Sequence, residues 1–202
     1  MIEKNEDSNQ SYKTATSGLP DSSNKTYSFY WGEYGTDQTG ITNYDKVDGS
    51  NDFGFLKPEQ DSYKGTPYLP DDVSSWTNGA LSDWDGKANS NVLKGVTTGG
   101  GSYTSYATAG HVLNTFLASA DAKGYDDWYI PSCGQLSLIY MHLTSVNNAL
   151  LAIGGQPLDT RYYWSSSEHS SNSGWIVLFN NGRTFTRYKR LTSSVRFVRD
   201  IE

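Results

Sequence analysis

Cysteine is almost missing from this chain. Cys133 stands alone, so no intrachain disulfide can close. Histidine is scarce as well: His111, His142 and His169 lie far apart, without the HxxxH-type spacing that lets two imidazoles share one metal ion. No stretch approaches the roughly 18 consecutive apolar residues of a membrane span. There is no basic excess either. Lys and Arg number 16 against 22 Asp and Glu, a formal net charge of −6, which disfavours a phosphate-tracking surface and hence nucleic acid as a partner. No acidic block is long enough to act as a tail. The opening MIEKNEDSNQSYKTATSGLPDSSNK lacks an apolar core, so it does not read as a signal peptide. A chain of this kind would leave the cell by another route, as part of a virus particle for instance, or after losing a leader.

Catalytic signatures are missing too. TTGGGSY is glycine-rich but lacks the Lys-Ser/Thr of a phosphate-binding loop, and no GxSxG elbow presents a serine. DWDGKAN resembles part of a calcium loop, but its glycine is at the fourth position and not the sixth, and no glutamate stands at the twelfth. It reads as a turn. Cys133 falls at an expected helix N-terminus, where a thiolate is stabilised. With no base beside it in sequence, a buried structural thiol is the expectation. Asp126 and Asp127 are adjacent, so on a strand they would point to opposite faces. No enzyme, cofactor or metal site is expected.

What is present is aromatic and glycine-rich. Hydrophobic residues make up 36%, with 20 Gly, 15 Tyr and 6 Trp, a composition that suits strands and turned loops more than a helical bundle. Residues 1–26 are polar and read as a flexible arm. Residues 27–202 read as one α+β domain. TYSFYWGEYG suggests a first strand, and 36–80 a long connection whose aromatics pack on something. GALSDWDGKANSNVLKG reads as turns, with Trp84 as an anchor. Two helices follow. One has Ala107, Val112, Phe116 and Ala120 near helical spacing and Gly124 as its C-cap. The other starts at the capping box Ser132–Gln135 and ends at Gly154-Gly155. In the tail, YYWSSSE reads as a strand, HSSNSG as a loop with His169 exposed, WIVLF as a strand, NNG as a tight turn and RTFTRYKR as the hairpin partner. SSVRFVRD closes the sheet.

These segments carry a resemblance. GYDDWYIPSCGQLSLIY looks like the G-x-x-D-W-x-x-P-[ST]-x-x-E/Q-L motif of DUF1566-type, C-type-lectin-like domains. YYWSSSE, GWIVLF, NNG and SSVRFVR match that family's ending, and WDGKANS resembles another of its segments. The match covers roughly 80–202. Small polar residues after the glutamate and an Asn-rich hairpin are similar to the variable proteins of diversity-generating retroelements. There an error-prone reverse transcriptase rewrites adenines in a cassette encoding the end of a C-type lectin fold. The sugar-binding triplets of calcium-dependent lectins are absent, and Gln135 replaces a frequent Glu, so the resemblance implies neither sugar nor calcium binding.

The codon logic of such a cassette can be checked against the residues. Changing the adenines of AAC or AAT leaves a C or T in third place, which never encodes Trp, Met, Lys, Gln or Glu. From His169 to Arg199 only Trp175 and Lys189 belong to that excluded set, and both fall where the family pattern is fixed or nearly so. The resemblance thus implies a variable region over about 162–199. Trp164, Trp175, Val177, Phe179, Val195 and Val198 would point inward, since side chains alternate across a strand. The ligand-contacting set would be His169, Ser171 and Asn172 on the first loop, and Ile176, Leu178 and Asn180 on the opposite face of the strand. Arg183, Phe185, Arg187, Tyr188, Arg190, Leu191 and Thr192 would complete it on the hairpin and beyond. Arg196 and Arg199 are expected to pair with acids such as Glu168 or Asp127.

The expected function is a non-enzymatic, receptor-type binding protein, at a virion or cell surface. Its ligand would be a protein or a cell-surface component, and the N-terminal arm could serve assembly or attachment to a larger particle. The alternatives are a fixed surface adhesin or structural domain, and an enzyme related to formylglycine-generating enzymes.

Overall fold

In the computed structural model the described residues are 29–46, 79–104 and 106–200. The arm expected over 1–26, the start of the first expected strand and most of the 36–80 connection lie outside them. Among the described residues helices come first and strands last. The order is α1 (Gly86–Leu93), α2 (Ala109–Leu117), α3 (Cys133–Met141), α4 (Leu143–Ala152), β1 (Tyr162–Ser170), β2 (Ser173–Leu178) and β3 (Arg183–Tyr188). The strands form one antiparallel sheet in the order β1-β2-β3. The class is α+β.

The helix signals are mostly local. The Ser132 N–H donates to Gln135 Oε1 at 3.0 Å, closing the expected capping box at the start of α3. The long second helix is broken at His142, whose backbone (φ −103°, ψ 21°) leaves the helical region. Thr108 caps α2 by accepting the His111 N–H at 3.2 Å. This helix stops at Leu117. A 3-10 turn over Ala120–Ala122 follows, and the chain turns through left-handed Lys123 and Gly124.

α1 is a correction, because its Asp-, Gly- and Asn-rich sequence read as turns. Weak propensity is overridden here by tertiary contacts. Ser90 is buried and clamps Ile130, donating through Oγ to its carbonyl (3.1 Å) and accepting its N–H (2.8 Å). Asn89 donates to the buried Asp83 carboxylate at 2.9 Å. Trp84, expected as the anchor, is 37% exposed, whereas Trp31, Trp128, Trp164 and Trp175 are at most 1% exposed.

β2 is the centre of the molecule. Trp175 packs with Ala80, Leu81 and Cys133, and Val177 and Phe179 pack with Leu136, Leu158 and Tyr163. On the opposite face Ile176 joins the largest cluster, with Phe29, Trp31, Phe116, Trp128 and Trp164. The sheet therefore has a core on each side. The expected inward set is buried throughout. Ile176 (0% exposed) and Leu178 (9%) are buried as well, which removes both from any ligand-contacting surface. Their burial is worth roughly 1.5–3 kcal/mol each. Gly174 shows how tightly the second face is closed. The Trp31 indole lies against it, and a Cβ there would meet ring atoms at 2.7–2.9 Å.

Loop HSSNSG is largely strand. β1 runs on to Ser170, with register shifts around Glu168. Asn180-Asn181-Gly182 does turn the chain, and Gly182 takes the positive φ (73°) that the turn needs. The terminal stretch closes the sheet by bridges: Ser193 to Phe29, Ser194 to Tyr163 and Val198 to Tyr129.

Candidate functional site

At the β1–β2 turn, the end of the sheet meets the loop that follows Trp31. Gly35 N–H donates to the Ser171 carbonyl (2.9 Å), and Tyr44 N–H donates to the Glu168 carbonyl (3.0 Å). The Trp175 indole N–H reaches the Tyr44 carbonyl at 2.9 Å. The Glu168 carboxylate accepts the Gln38 N–H, at 3.0 Å on Oε2. Its other partner is Lys189, in an ion pair whose two side chains are both 0% exposed. Lys189 Nζ also donates to the Thr36 carbonyl (2.7 Å) and sits 4.8 Å from the centre of the Trp31 ring. Burial pushes the Glu168 carboxyl up and the Lys189 ammonium down, and each is pulled back by the other. Glu168, one of the acids expected to pair with Arg196 or Arg199, is paired with Lys189. Arg196 donates to the carbonyls of Gln156 (3.1 Å) and Pro157 (3.4 Å). Arg199 does hold Asp127, at 3.0 and 3.3 Å, and that hydrogen-bonded pairing draws the Asp127 carboxyl below its ordinary value.

The buried Lys189 has exposed neighbours on either side. Tyr188 is 51% exposed, Leu191 42%, and Arg190 is exposed. Residues from the distant loops meet them. Tyr34 stands edge-on to Tyr188 (6.3 Å) and to Tyr103 (6.0 Å), and Tyr103 is edge-on to Tyr30 (5.8 Å), which stacks on Tyr106 (4.8 Å). Arg190 lies over Tyr34 (4.8 Å) and Tyr188 (5.5 Å) and donates to the Tyr103 hydroxyl at 3.2 Å. Tyr34 and Tyr103 were missed in the sequence, for they lie far from the tail. The only signal was tyrosine abundance.

The remaining expected contact residues fall in three groups. Ser171 and exposed Asn172 are at this same end. His169, expected as an exposed loop residue, is a half-buried strand residue edge-on to Trp175 (5.7 Å), and burial lowers its pKa. A second group runs along β3. Arg183 lies over the Phe185 ring (5.3 Å), Phe185 is edge-on to Tyr162 (5.8 Å), and Arg187 covers Tyr162 (5.0 Å) while donating to the Thr192 carbonyl (3.3 Å). Phe185 also packs on the main core, so it is anchor and contact at once. Asn180 is exposed but sits beyond the other end of β2. The six residues of that strand place it roughly 20 Å from the Asn172 end. The expected set is thus not a single patch.

On the opposite side of β2 lie the buried Cys133 and Asp83. The Cys133 thiol is fully buried, and burial, reinforced by Asp83, raises its pKa well above the ordinary value. Asp83 is also buried, and its carboxyl is pushed up by that burial despite donors from Ser167 (2.5 Å), Asn89 and the Asp85 N–H. A neutral thiol without solvent access is a poor nucleophile. Among the described residues no group of three His, Cys, Asp or Glu side chains converges as metal ligands, and no helix is long and apolar enough to cross a membrane.

No curated protein matches the chain. A family match does exist, over residues 75–199, which takes in α1 to β3, the bridges of Ser194 and Val198, Tyr103 and the Glu168–Lys189 pair, and leaves out Phe29 and Tyr34. Since that match covers more than half of the sequence, the chain belongs to the Lcl C-terminal domain family.

Proposed function

We propose that this protein is a non-enzymatic, receptor-type binding protein: a C-type-lectin-like scaffold, of the kind found in variable proteins of diversity-generating retroelements, that displays an exchangeable surface. The observation that carries the reading is the alternation around Lys189. Its side chain is fully buried and ion-paired, while Tyr188, Arg190 and Leu191 project beside it. A fixed anchor of this kind lets neighbouring side chains change with little cost to the fold, since surface substitutions usually shift stability by less than about 0.5 kcal/mol. Tyr and Arg are also the residue types that dominate binding hot spots. Burial of Cys133 supports the non-enzymatic part.

On this reading the exchangeable set comprises Ser171, Asn172, Arg187, Tyr188, Arg190, Leu191 and Thr192, with Arg183 and Phe185 at its margin. The ligand is a protein or cell-surface component, the site of action is a virion or cell surface, and residues 1–26 serve as the attachment arm. The test is a binding screen of wild type against a triple Ala variant at Arg187, Tyr188 and Arg190. Loss of binding in the variant is expected; equal binding removes the site. Diversification has its own test, in the flanking DNA. A near-identical template repeat differing at adenines, beside a reverse transcriptase gene, is expected, and its absence leaves a fixed adhesin.

A further inference from the structure

Exposed Tyr188 and Arg190 and half-buried Tyr34 and Tyr103 form a surface that the variable stretch alone does not make. Tyr34 comes from the loop after Trp31, Tyr103 from the 3-10 turn Gly101–Tyr103, and Tyr188 and Arg190 from the end of β3. Each of these four touches at least two of the others. The arrangement leaves Arg190 in an unusual state. Its guanidinium is held against two rings and one hydroxyl, and it forms no ion pair with a carboxylate among the described residues. A guanidinium has five N–H donors, and the Tyr103 hydroxyl takes one. The planar fork is thus oriented, weakly hydrated and still able to grip two oxygens at once. Glu168, which could have neutralised a cation here, is already taken by Lys189.

We propose that the binding surface is composite, with Tyr34 and Tyr103 as a preset aromatic wall and Arg190 as its charged centre, and that it takes a protein partner presenting an exposed Asp or Glu carboxylate beside an apolar side chain. This deepens the function proposed above and rests on it. The carboxylate would meet the Arg190 fork, and the apolar neighbour would lie on Tyr188, Tyr34 and Leu191. A protein is favoured as the class because rigid tyrosine area around one arginine is the composition of protein-binding hot spots. Tyr34 and Tyr103 lie outside the variable stretch, so variation in that stretch would tune specificity on a wall that stays constant.

The experiment selects binders to the whole chain from a displayed random peptide library. It then measures selected peptides against wild type and against Tyr188→Ala, Arg190→Gln, Tyr34→Ala, Tyr103→Ala and Tyr103→Phe, each checked for wild-type thermal unfolding. Should an Ala variant fail that check, Tyr34→Leu or Tyr103→Phe takes its place. The expected result is enrichment of Asp or Glu in the peptides and a loss of about tenfold or more for Tyr188→Ala, Arg190→Gln, Tyr34→Ala and Tyr103→Ala. Changing the peptide acid to its amide should mimic Arg190→Gln and add nothing to it. Loss at Tyr188 and Arg190 with full binding at Tyr34 and Tyr103 overturns the composite wall and leaves the proposed function standing. Full binding by every variant overturns both. Peptides without an acid, no peptides at all, binding of an oligosaccharide panel instead, or self-association abolished by Arg190→Gln each overturn the carboxylate-bearing protein partner.

Discussion

β2 and β3 are neighbours in one sheet, equal in length and joined by a tight turn, yet they have opposite tolerances. Every residue of β2 is buried, while only Thr184 is buried in β3. The difference is one of position. β2 is the middle strand, with α3 and Leu136 on one side and the Trp31–Trp164 cluster on the other. β3 is one of the two outer strands, and of its side chains Phe185 packs on the Trp31–Trp164 cluster. A strand can carry exchangeable residues only where it has a face or an edge that no core needs. Here that place lies on β3 and the four residues after it, with Thr184 and Lys189 as the buried exceptions.

The sharpest way to break this comparison is to cut into β2. Trp175→Ala should cost about 3–5 kcal/mol, read by urea denaturation; a loss below 1 kcal/mol would mean that β2 is not the structural centre. Next comes the anchor inside the tolerant region. Lys189→Met strands the Glu168 carboxylate in the core and should cost about 3–5 kcal/mol, whereas the double change with Glu168→Leu should recover most of that, because removing both charges also removes their desolvation. An equal loss in single and double variants would show that Lys189 acts through its contact with Trp31 rather than through its charge.

A smaller effect separates the buried acid of the β2 side from the acids of the surface. The Asp83 carboxyl has a folded pKa above its ordinary value of 3.8. Its contribution to stability is therefore fully present below that value and is lost as pH rises through the folded pKa. Asp127 runs the other way: its lowered pKa gives stability above the unfolded value that is lost as pH falls. Asp83→Asn should remove the part of the stability decline that appears as pH is raised from about 4, measured by urea titration against wild type; an unchanged pH profile would sink the assignment. The smallest effects belong to the exposed positions. Asn172→Ser and Leu191→Ser should each stay within about 0.5 kcal/mol of wild type in the same assay.

Much of this was readable beforehand where the signal was local. The Ser132–Gln135 box, the Asn-Gly turn and the aromatic and β-branched anchors Trp164, Trp175, Val177 and Phe179 depend on neighbours a few residues away, and they fell as expected. Arg199 found Asp127 for a related reason: both flank segments that pair through Val198 and Tyr129. Ile176 and Leu178 failed because alternation says which residues share a face, not whether the other face meets water. α1 failed because its residues are poor helix formers, held by Ser90 and Asn89 to partners elsewhere in the chain.

Composition and spacing by themselves determined that this chain would fold as mixed helix and sheet without disulfides, and that its last strands would carry firm apolar anchors. They also determined which side chains the tail could offer a partner, since those are written in the tail itself. Only the tertiary structure decided that β2 would be covered on both faces, that Lys189 would be buried against Glu168, and that Tyr34 and Tyr103 would stand beside Arg190. Those outcomes depend on contacts between segments tens to more than a hundred residues apart. Periodicity along one segment carries no information about what packs against it.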